Sequence, residues 1–569
     1  MKIRFPERIS ISWLKKQYEN EGVTPNQVID ELLDRREKNK EYNIWITALD
    51  RETIKKYVDK LEYMDRSLPL WGIPFAIKDN IDLEGIETTA ACPAYAYKAK
   101  ENATVVERLL AAGAIPMGKT NLDQFATGLV GTRSPYGETH NSIKQELISG
   151  GSSSGSAVSV ALGEVVFALG TDTAGSGRVP AALNNIVGYK SSIGAWSKYG
   201  LVPACASIDC ITVFSSTMED AYKIDDVVRG KDDNDEWSLD LKRPEARLPK
   251  KILLPDKQPK FYGVYKEAYE VAWEKTVKRV KELGITIEYV DCKIFSDSAS
   301  ILYDGPWVAE RWADLREFVL AHSEDIFPVT KGILECACKE EYDAASVFTA
   351  MHKLQQYKSI SEELMQDAIL VMPTCGGTYT REEVRENPIM TNSNMGLYTN
   401  HCNLLNMAAI AIPSDFATPD VPFGITAFSL ANAEDYLKGF AFAFEDTETM
   451  KIAVCGLHMK GFCLEHQLTE LGARYNRISK TAPYYKMYMM NSNPKKPVLV
   501  KDNEGGELEV EIWDIPVNQF GKFIAKVPAP LALGKIQLED GSEVIGFIGQ
   551  MSQQLGEDIT LYGGWRYVV

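Results

Sequence analysis

The order of hydrophobic and polar positions predicts an α/β protein with a buried central unit. Apolar residues recur at helical spacing over 158–165, and 165–169 is an apolar run of strand length. Residues 73–77 are also apolar and predict a second buried strand, with Lys78 at its end. A long amphipathic helix is predicted over 264–283, because Gly284 supplies a common stop signal after its last turn.

The two ends of the chain have different patterns. Roughly the first 65 residues favour helices, one of which begins at the start signal formed by Thr24 and Pro25. From residue 451 onward the chain predicts short strands. Apolar and glutamate positions alternate over 507–512, and Asp540 with Gly541 separates two apolar stretches as in a hairpin. We therefore predict a main α/β domain over 1–440 and a smaller, β-rich α+β domain over 451–569.

Composition narrows the class of protein. Of 569 residues, 45% are hydrophobic and 25% are charged, an ordinary globular balance. The net charge of −17 disfavours nucleic acid as a partner, since phosphate backbones are bound by lysine and arginine. The N-terminal residues lack the apolar core of a signal peptide, and no run approaches the roughly 18 apolar residues of a membrane span. Ten scattered cysteines suit reduced thiols, so we expect a soluble cytoplasmic enzyme.

Two turns rich in glycine and hydroxyl groups flank the central αβ unit. The first reads Gly-Gly-Ser-Ser-Ser-Gly-Ser over 150–156, and the second reads Gly-Thr-Asp-Thr-Ala-Gly-Ser-Gly-Arg over 170–178. Because the turns lie on adjacent elements they can face each other, and glycine lets backbone N–H groups approach a ligand closely. Such an arrangement suits an oxyanion hole beside a serine nucleophile.

Other interpretations of these turns fit less well. A flexible Gly/Ser linker would not enclose apolar residues at helix and strand periods. A phosphate-binding loop needs Gly-Lys-Ser/Thr after its glycines, and neither turn has that lysine. A Ser–His–Asp triad would have to recruit a histidine from a context that favours a structural role: His140, His322, His352 or His401. No metal site is predicted either, because the Cys-Ala-Cys at 336–338 lacks the spacing of a zinc site.

The segment over 149–180 resembles the signature of the amidase signature family, serine hydrolases that use a Ser–cis-Ser–Lys triad. LWGIPFAIKDNID, GAIPMGKTNLDQFATGLVGTRSPYG and LYTNHCNLLNMAAIAIPSDF resemble further segments of the family, in the expected order. The resemblance implies a mixed β-sheet core covered by helices over 1–440. Matched residue by residue, it places the nucleophile at Ser176, the bridging serine at Ser152 and the lysine at Lys78.

The chemistry of this triad sets a condition on the lysine. A serine hydroxyl needs a base to become a nucleophile, and a lysine at its ordinary pKa is protonated. Burial among apolar neighbours would lower the pKa of Lys78. Asp79 argues for a charged lysine unless its carboxylate faces away. The resemblance also implies an oxyanion hole of backbone N–H groups at Thr173, Ala174 and Gly175, together with the N–H of Ser176 itself.

Two further features resemble the allophanate hydrolases within this family. In LYDGPWVAER, Tyr303 and Arg311 match a tyrosine and an arginine that hold the substrate carboxylate, which arginine can bind in a forked way. On one helix these two residues would lie about 80° apart, although Gly305 and Pro306 interrupt that geometry. Gly128, in FATGLVG, matches a position whose backbone touches the substrate.

The tail is the second feature. KIAVCGLHMKGFCLEHQLTELGARY, VPAPLALGKIQLEDG and LYGGWRYVV resemble the C-terminal domain of allophanate hydrolases. Removal of carbon dioxide needs a group that exchanges a proton near neutrality, and histidine is the natural candidate. We choose His458 over His466 because it lies in the stretch that best matches the tail motif. A structural histidine beside Gly456 is the alternative.

The resemblance implies that allophanate (urea-1-carboxylate) is hydrolysed to ammonia and N-carboxycarbamate, whose decarboxylation the C-terminal domain assists. It implies no cofactor, a homodimer, and a metabolic link to a biotin-dependent urea carboxylase on another chain. Two other functions stay open. One is a different small-molecule amidase, acting for instance on malonamate-like amides, and the other is the amidase subunit of a tRNA-dependent amidotransferase.

Overall fold

The computed structural model describes residues 5–20, 22–303, 305–445, 449–527, 531–549 and 556–568. The chain forms two compact units, Met1–Phe442 and Ala443–Val569. Every helix within the described ranges is too short or too polar to span a lipid bilayer.

A mixed sheet forms the centre of the larger unit. Its strands and those of a small ribbon are β1 (Trp45–Ala48), β2 (Pro74–Lys78), β3 (Glu87–Thr88), β4 (Tyr97–Lys98), β5 (Ile115–Thr120), β6 (Phe167–Asp172), β7 (Val187–Lys190), β8 (Cys210–Ser215), β9 (Lys251–Pro255), β10 (Thr286–Val290), β11 (Ala368–Pro373), β12 (Met407–Thr418) and β13 (Val421–Leu430). Eleven of them pair in the order β1-β5-β2-β6-β8-β7-β12-β13-β11-β9-β10, and β3 pairs with β4. Strands β5, β2 and β6 are parallel, whereas β6, β8, β7, β12 and β13 are antiparallel. The predicted mixed sheet is confirmed.

Helices accompany this sheet, some packed on its strands and others packed on one another. They are α1 (Ile11–Asn20), α2 (Pro25–Lys38), α3 (Arg51–Lys60), α4 (Thr104–Ala111), α5 (Ser154–Ala161), α6 (Val179–Leu183), α7 (Met218–Val228), α8 (Lys266–Lys281), α9 (Lys293–Tyr303), α10 (Val308–Ala321), α11 (Pro328–Glu335), α12 (Ala344–Leu364), α13 (Arg381–Glu386), α14 (Pro388–Met395), α15 (His401–Leu404) and α16 (Glu434–Glu445). The start predicted at Thr24 is confirmed, because its side chain and that of Gln27 form a capping box at α2. The helix predicted over 264–283 is α8, and Gly284 follows it at φ +73°.

The elements that carry the two glycine-rich turns lie in the core. Every residue of β2, β6 and α5 is buried, and the rings of Phe75 and Phe167 stack across β2 and β6 at 5.2 Å. Because β2 and β6 are parallel neighbours, with Ile77 opposite Leu169, their carboxyl ends meet at one edge of the sheet. Lys78 therefore lies beside the turn that follows β6.

The smaller unit is built mainly from strands. They are β14 (Thr449–Val454), β15 (Arg474–Lys480), β16 (Tyr485–Met490), β17 (Lys496–Lys501), β18 (Glu509–Pro516), β19 (Ala532–Gln537), β20 (Glu543–Ile548) and β21 (Glu557–Asp558), with helices α17 (His466–Thr469) and α18 (Val517–Ile524). All eight strands belong to one sheet. Strands β19 and β20 pair antiparallel across Gly541, which confirms the predicted hairpin. The strand predicted from the alternation over 507–512 is β18, and Leu508, Val510 and Ile512 lie in the apolar core, but Glu511 is buried as well.

Candidate active site

Lys78 ends β2 and is completely buried. Its Nζ donates hydrogen bonds to Ser152 Oγ at 2.8 Å and to Thr171 Oγ1 at 2.6 Å. Burial lowers the pKa of this lysine to about 7, although the charges of nearby aspartates oppose the shift. Near neutral pH a large share of Lys78 is therefore uncharged, which is the form that can act as a base.

Asp79 faces away from Lys78, as expected for adjacent residues of an extended chain. Its carboxylate accepts hydrogen bonds from the N–H of Thr89 at 3.0 Å and from the Thr89 hydroxyl at 2.5 Å. It also forms an ion pair with the buried Lys119 at 3.4 Å. Lys119 thus balances a carboxylate that would otherwise favour a protonated Lys78. The sequence required the Asp79 carboxylate to face away from Lys78 if that lysine is to be neutral, and the structure has this arrangement.

The first glycine-rich turn places Ser152 next to Lys78. The peptide bond between Gly151 and Ser152 is cis, and the Ser152 carbonyl accepts hydrogen bonds from the N–H groups of Asp123 and Ser154 at 3.1 and 2.9 Å. A Cβ on Gly151 would lie 2.0 Å from the Asp123 carboxylate. Only glycine fits there, so the close approach of backbone and carboxylate explains this residue.

Ser176 lies in the turn after β6, and Asp172 holds that turn in shape. The Asp172 carboxylate accepts hydrogen bonds from the N–H groups of Gly175 at 2.9 Å and Gly177 at 3.0 Å. It also forms a two-point ion pair with Arg178, at 2.9 Å for each contact. Burial alone would raise the pKa of Asp172, but the charge and hydrogen bonds of Arg178 outweigh it and hold that pKa below its usual value.

This arrangement corrects one predicted oxyanion donor. The N–H of Gly175 is committed to Asp172, so it is not available to a ligand. Among the contacts of the described residues, the backbone N–H groups of Thr173, Ala174 and Ser176 have no acceptor. These three N–H groups remain free to donate to an oxyanion.

The two serines are only partly linked. Within the described ranges no hydrogen bond joins Ser152 to Ser176, and the Ser176 hydroxyl donates to the Gly128 carbonyl at 3.5 Å. That contact is at the long limit of hydrogen bonding, so it holds the hydroxyl weakly. The structure therefore brings Lys78 to Ser152 and brings Ser176 to Gly128. The second link of the predicted relay is absent here, as is common for catalytic hydrogen bonds before substrate binds.

Arg311 reaches the same region from α10. It is buried, and its Nη1 donates to Thr127 Oγ1 at 2.9 Å, next to Gly128 in the chain. The single helix considered for Tyr303 and Arg311 is not formed. Tyr303 ends α9 whereas Arg311 lies near the start of α10, so the 80° relation does not apply. The side chain of Tyr303 lies outside the described part of the chain.

Sequence reasoning missed several residues of this site. Thr171 and Asp172 lie inside the recognised motif and received no role, although Thr171 is a direct partner of Lys78. Asp209 accepts a hydrogen bond from the Thr173 hydroxyl and others from the N–H groups of Ala204 and Cys205. Burial raises the pKa of Asp209. No motif marks that residue in the sequence, because its role comes from contacts across the fold.

The environment of His401 favours a structural role for this histidine rather than a catalytic one. His401 is buried between the rings of Phe295 and Phe428, with centroids 5.0 and 4.7 Å away. Burial lowers its pKa to about 3, so it stays neutral and packs as an aromatic side chain. The interpretation of His401 as a structural residue agrees with this environment.

The smaller unit has a cavity of about 180 Å³ that includes His458. Its lining comes from several elements: Val454, Cys455, Gly456, Leu457, His458, Leu464, Gln467, Pro494, Lys496, Pro497, Lys526, Val527, Leu531 and Phe547. Nε2 of His458 lies 3.1 Å from Gln467 Oε1, and the ring packs against Phe523 and Phe547. Burial lowers the pKa of His458, and the charge of Lys496 adds to that effect. The cavity combines an imidazole with two ammonium-bearing side chains, a lining that suits a small anion.

Comparisons with known proteins agree with both units. A family profile described as "Amidase" matches residues 27–437, and one described as "Allophanate hydrolase C-terminal domain" matches residues 450–569. Urea amidolyase of Saccharomyces cerevisiae is 37% identical over 97% of this chain and 32% of its own length. The chain thus spans about a third of that relative. A glutamyl-tRNA(Gln) amidotransferase subunit of Cyanothece is 31% identical over 66% of this chain and 84% of its own length.

A solved structure matches along nearly the whole chain. Allophanate hydrolase of Kluyveromyces lactis is 36% identical, with a TM-score of 0.72, and the match covers 98% of this chain and 98% of that one. Both family matches, the mixed sheet of the larger unit and the strand-rich smaller unit agree with this relative. The chain belongs to the amidase family, and its residues 450–569 form an allophanate hydrolase C-terminal domain.

Proposed function

We propose that this chain hydrolyses the terminal amide of allophanate, with Ser176 as nucleophile, Ser152 as proton relay and Lys78 as base. The observation that carries the proposal is the 2.8 Å hydrogen bond from Lys78 to Ser152, made by a fully buried lysine whose pKa is about 7. A lysine in this state can take a proton at neutral pH, whereas a surface lysine cannot.

The reaction follows from this geometry. Neutral Lys78 takes the Ser152 proton while Ser152 takes that of Ser176, and Ser176 Oγ adds to the amide carbon. The N–H groups of Thr173, Ala174 and Ser176 stabilise the oxyanion, and one such donor is worth about 3–4 kcal/mol in other hydrolases. The returning proton leaves with ammonia. Water then attacks the acyl-enzyme by the same proton path and releases N-carboxycarbamate.

The substrate carboxylate is assigned to Arg311, together with Tyr303. Allophanate carries a negative charge close to its scissile amide, and a buried guanidinium is the strongest partner for such a group. The contact of Arg311 with Thr127 supports this role, because Gly128 beside it contacts the Ser176 hydroxyl. The Gly128 backbone would border the same substrate. An Arg311 in this position selects a carboxylate-bearing amide over a neutral one.

We assign the decarboxylation step to the smaller unit, with His458 as the proton carrier. When carbon dioxide leaves N-carboxycarbamate, the N–C bond breaks and the nitrogen keeps the electron pair and takes a proton. The lowered pKa leaves His458 mostly neutral at pH 7. A doubly negative ligand in the cavity would raise that pKa and favour the protonated form that donates. Lys496 and Lys526 in the lining supply positive charge for the same ligand.

The supply of substrate is part of the proposal. Similarity to a protein named urea amidolyase supports a link to urea breakdown, and we propose that a biotin-dependent urea carboxylase makes allophanate. A cytoplasmic homodimer that needs no cofactor stays a prediction. Mass measurement in solution and fractionation of cells would test the dimer and the location.

One experiment separates the possible functions. The purified chain is supplied with allophanate, malonamate or glutamine, and ammonia release is measured for each. We expect turnover of allophanate far above the other two, with two ammonia molecules released per substrate. Faster cleavage of malonamate would instead identify a different small-molecule amidase. Cleavage of glutamine alone would identify an amidotransferase component, which the relative that matches 66% of this chain represents.

A further inference from the structure

The loop that carries His458 is held from outside by charged groups that the proposed chemistry does not use. This loop, residues 455–465, follows β14 and forms several turn hydrogen bonds of its own, but the backbone N–H and carbonyl of Lys460 bind groups outside the loop. The N–H of Met459 donates to the Gly456 carbonyl at 2.9 Å, and the N–H of Leu464 donates to the Leu457 carbonyl at 2.9 Å. A buried Met459 anchors its apolar side. The backbone of Lys460, in contrast, is held by charged side chains from outside the loop.

Glu511, on β18, is almost fully buried in the core of the smaller unit. Its Oε2 accepts a hydrogen bond from the backbone N–H of Lys460 at 2.7 Å and another from Trp513 Nε1 at 3.1 Å. Its Oε1 pairs with the guanidinium of Arg566. A buried carboxylate is unfavourable without such partners, and here one of them is the backbone of the His458 loop.

Arg566 completes the contact from the other side. The same Nη2 that pairs with Glu511 also donates to the backbone carbonyl of Lys460 at 2.9 Å. The guanidinium also lies over the Phe462 ring, 5.3 Å from its centroid. One ion pair therefore satisfies both the N–H and the carbonyl of Lys460, two residues from His458.

From this geometry we propose that Glu511 and Arg566 are positioning residues that fix the 455–465 loop and so hold His458 against Phe523 and Phe547 in the cavity. That the pair affects catalysis rests on the proposed function of His458. That the pair fixes the position of the imidazole does not depend on that function. An apolar pair of similar volume would fill the same space, but it could not bind both backbone groups of Lys460.

The test uses the full chain and three variants. Glu511→Gln keeps the shape but removes the charge, Arg566→Lys keeps the charge but removes the fork, and Glu543→Gln is the control. Glu543 forms an exposed ion pair with Lys535 in the same sheet. With selectively labelled histidine, His458 gives one of six histidine signals, and a His458→Gln variant assigns it. Lys496 and His466, whose charges also act on His458, are unchanged in all variants.

Two readouts are expected to move together. In Glu511→Gln and Arg566→Lys the titration midpoint of His458 should rise towards that of an exposed imidazole, because a looser loop lets in water. Release of the second ammonia should fall about tenfold relative to the first, the loss expected for one charge-assisted hydrogen bond. The control should match the unaltered chain in both readouts.

The outcomes separate the two levels of the proposal. If His458 titrates unchanged in both folded variants, the positioning role is wrong. If its titration shifts while the second ammonia is released at the normal rate, the positioning role holds and the catalytic role of His458 is wrong. Should Glu511→Gln fail to fold, Arg566→Lys decides, since it keeps the buried carboxylate paired with a cation.

Discussion

Replacing Lys78 with methionine should abolish amide cleavage and, at neutral pH, stabilise the fold. The native protein holds Lys78 with a pKa of about 7, whereas in an unfolded chain the pKa of lysine is near 10.4. Between those values the unfolded chain binds a proton that the native protein does not. The free energy of unfolding therefore rises with pH by about 1.4 kcal/mol per unit across that window.

The magnitude follows from the width of the window. At pH 7 and below, the burial of Lys78 costs the native state about 4–5 kcal/mol, because its pKa is lower there than in the unfolded chain. Methionine removes that cost and fills a similar volume, but it loses the hydrogen bonds to Ser152 and Thr171, each worth about 0.5–1.5 kcal/mol. A net gain of roughly 2 kcal/mol at pH 7 remains. At about 1.4 kcal/mol per pH unit, this gain should vanish near about pH 8.5, and by about pH 10 the variant should be the less stable protein because only the lost hydrogen bonds count.

Thermal unfolding of both proteins from pH 6 to pH 10 measures this effect, with ammonia release from allophanate recorded in parallel. Lys55→Met is the matched control, because Lys55 forms an exposed ion pair with Asp59 on α3. A Lys78→Met protein that unfolds at a lower temperature at pH 7, by an amount independent of pH, would contradict the reasoning. That result would mean that Lys78 is charged in the native protein. Retained turnover would remove Lys78 from the mechanism.

Three further predictions concern the other site residues. Ser176→Ala should lower turnover about 10³-fold or more with the fold intact, and Ser152→Ala should also lose most activity; turnover within tenfold of normal in either would exclude that serine. Arg311→Lys should raise KM for allophanate about 10–100-fold with a smaller change in kcat, because lysine cannot form the planar fork; an unchanged KM would mean that Arg311 does not bind the carboxylate. A chain ending near residue 445, and His458→Ala in the full chain, should both cleave the first amide and accumulate N-carboxycarbamate; release of both ammonia molecules at the normal rate would assign the smaller unit a structural or assembly role.

Much of the site could be predicted because its signals are local. Glycine and serine at fixed offsets over 150–156 and 170–178 determine two turns, and the apolar run before Lys78 predicts the buried strand that ends there. The alternation around Val510 likewise predicts β18, although the structure also buries Glu511 on the opposite face, which the alternation did not predict. Pattern and turn chemistry act over a few residues, and the sequence displays both directly.

The remaining features depend on partners that lie far apart in the chain. From the sequence, the neighbouring carboxylate of Asp79 favours a charged Lys78, but in the structure that carboxylate pairs with Lys119 instead. The Gly175 N–H matched the oxyanion motif, but Asp172 occupies it. No spacing rule gives either contact, because each depends on how buried charges pair in three dimensions.

The dependence of kcat/KM on pH for cleavage of the first amide tests the central claim most directly. If neutral Lys78 is the base, kcat/KM should be about one tenth of its plateau at pH 6 and about half at pH 7, and constant above pH 8. The same profile in the control variant Lys55→Met would show that a surface lysine does not set it. A rate that keeps rising tenfold per unit through pH 9 would mean that the catalytic lysine has an ordinary pKa, and the account of Lys78 as a buried neutral base would be wrong.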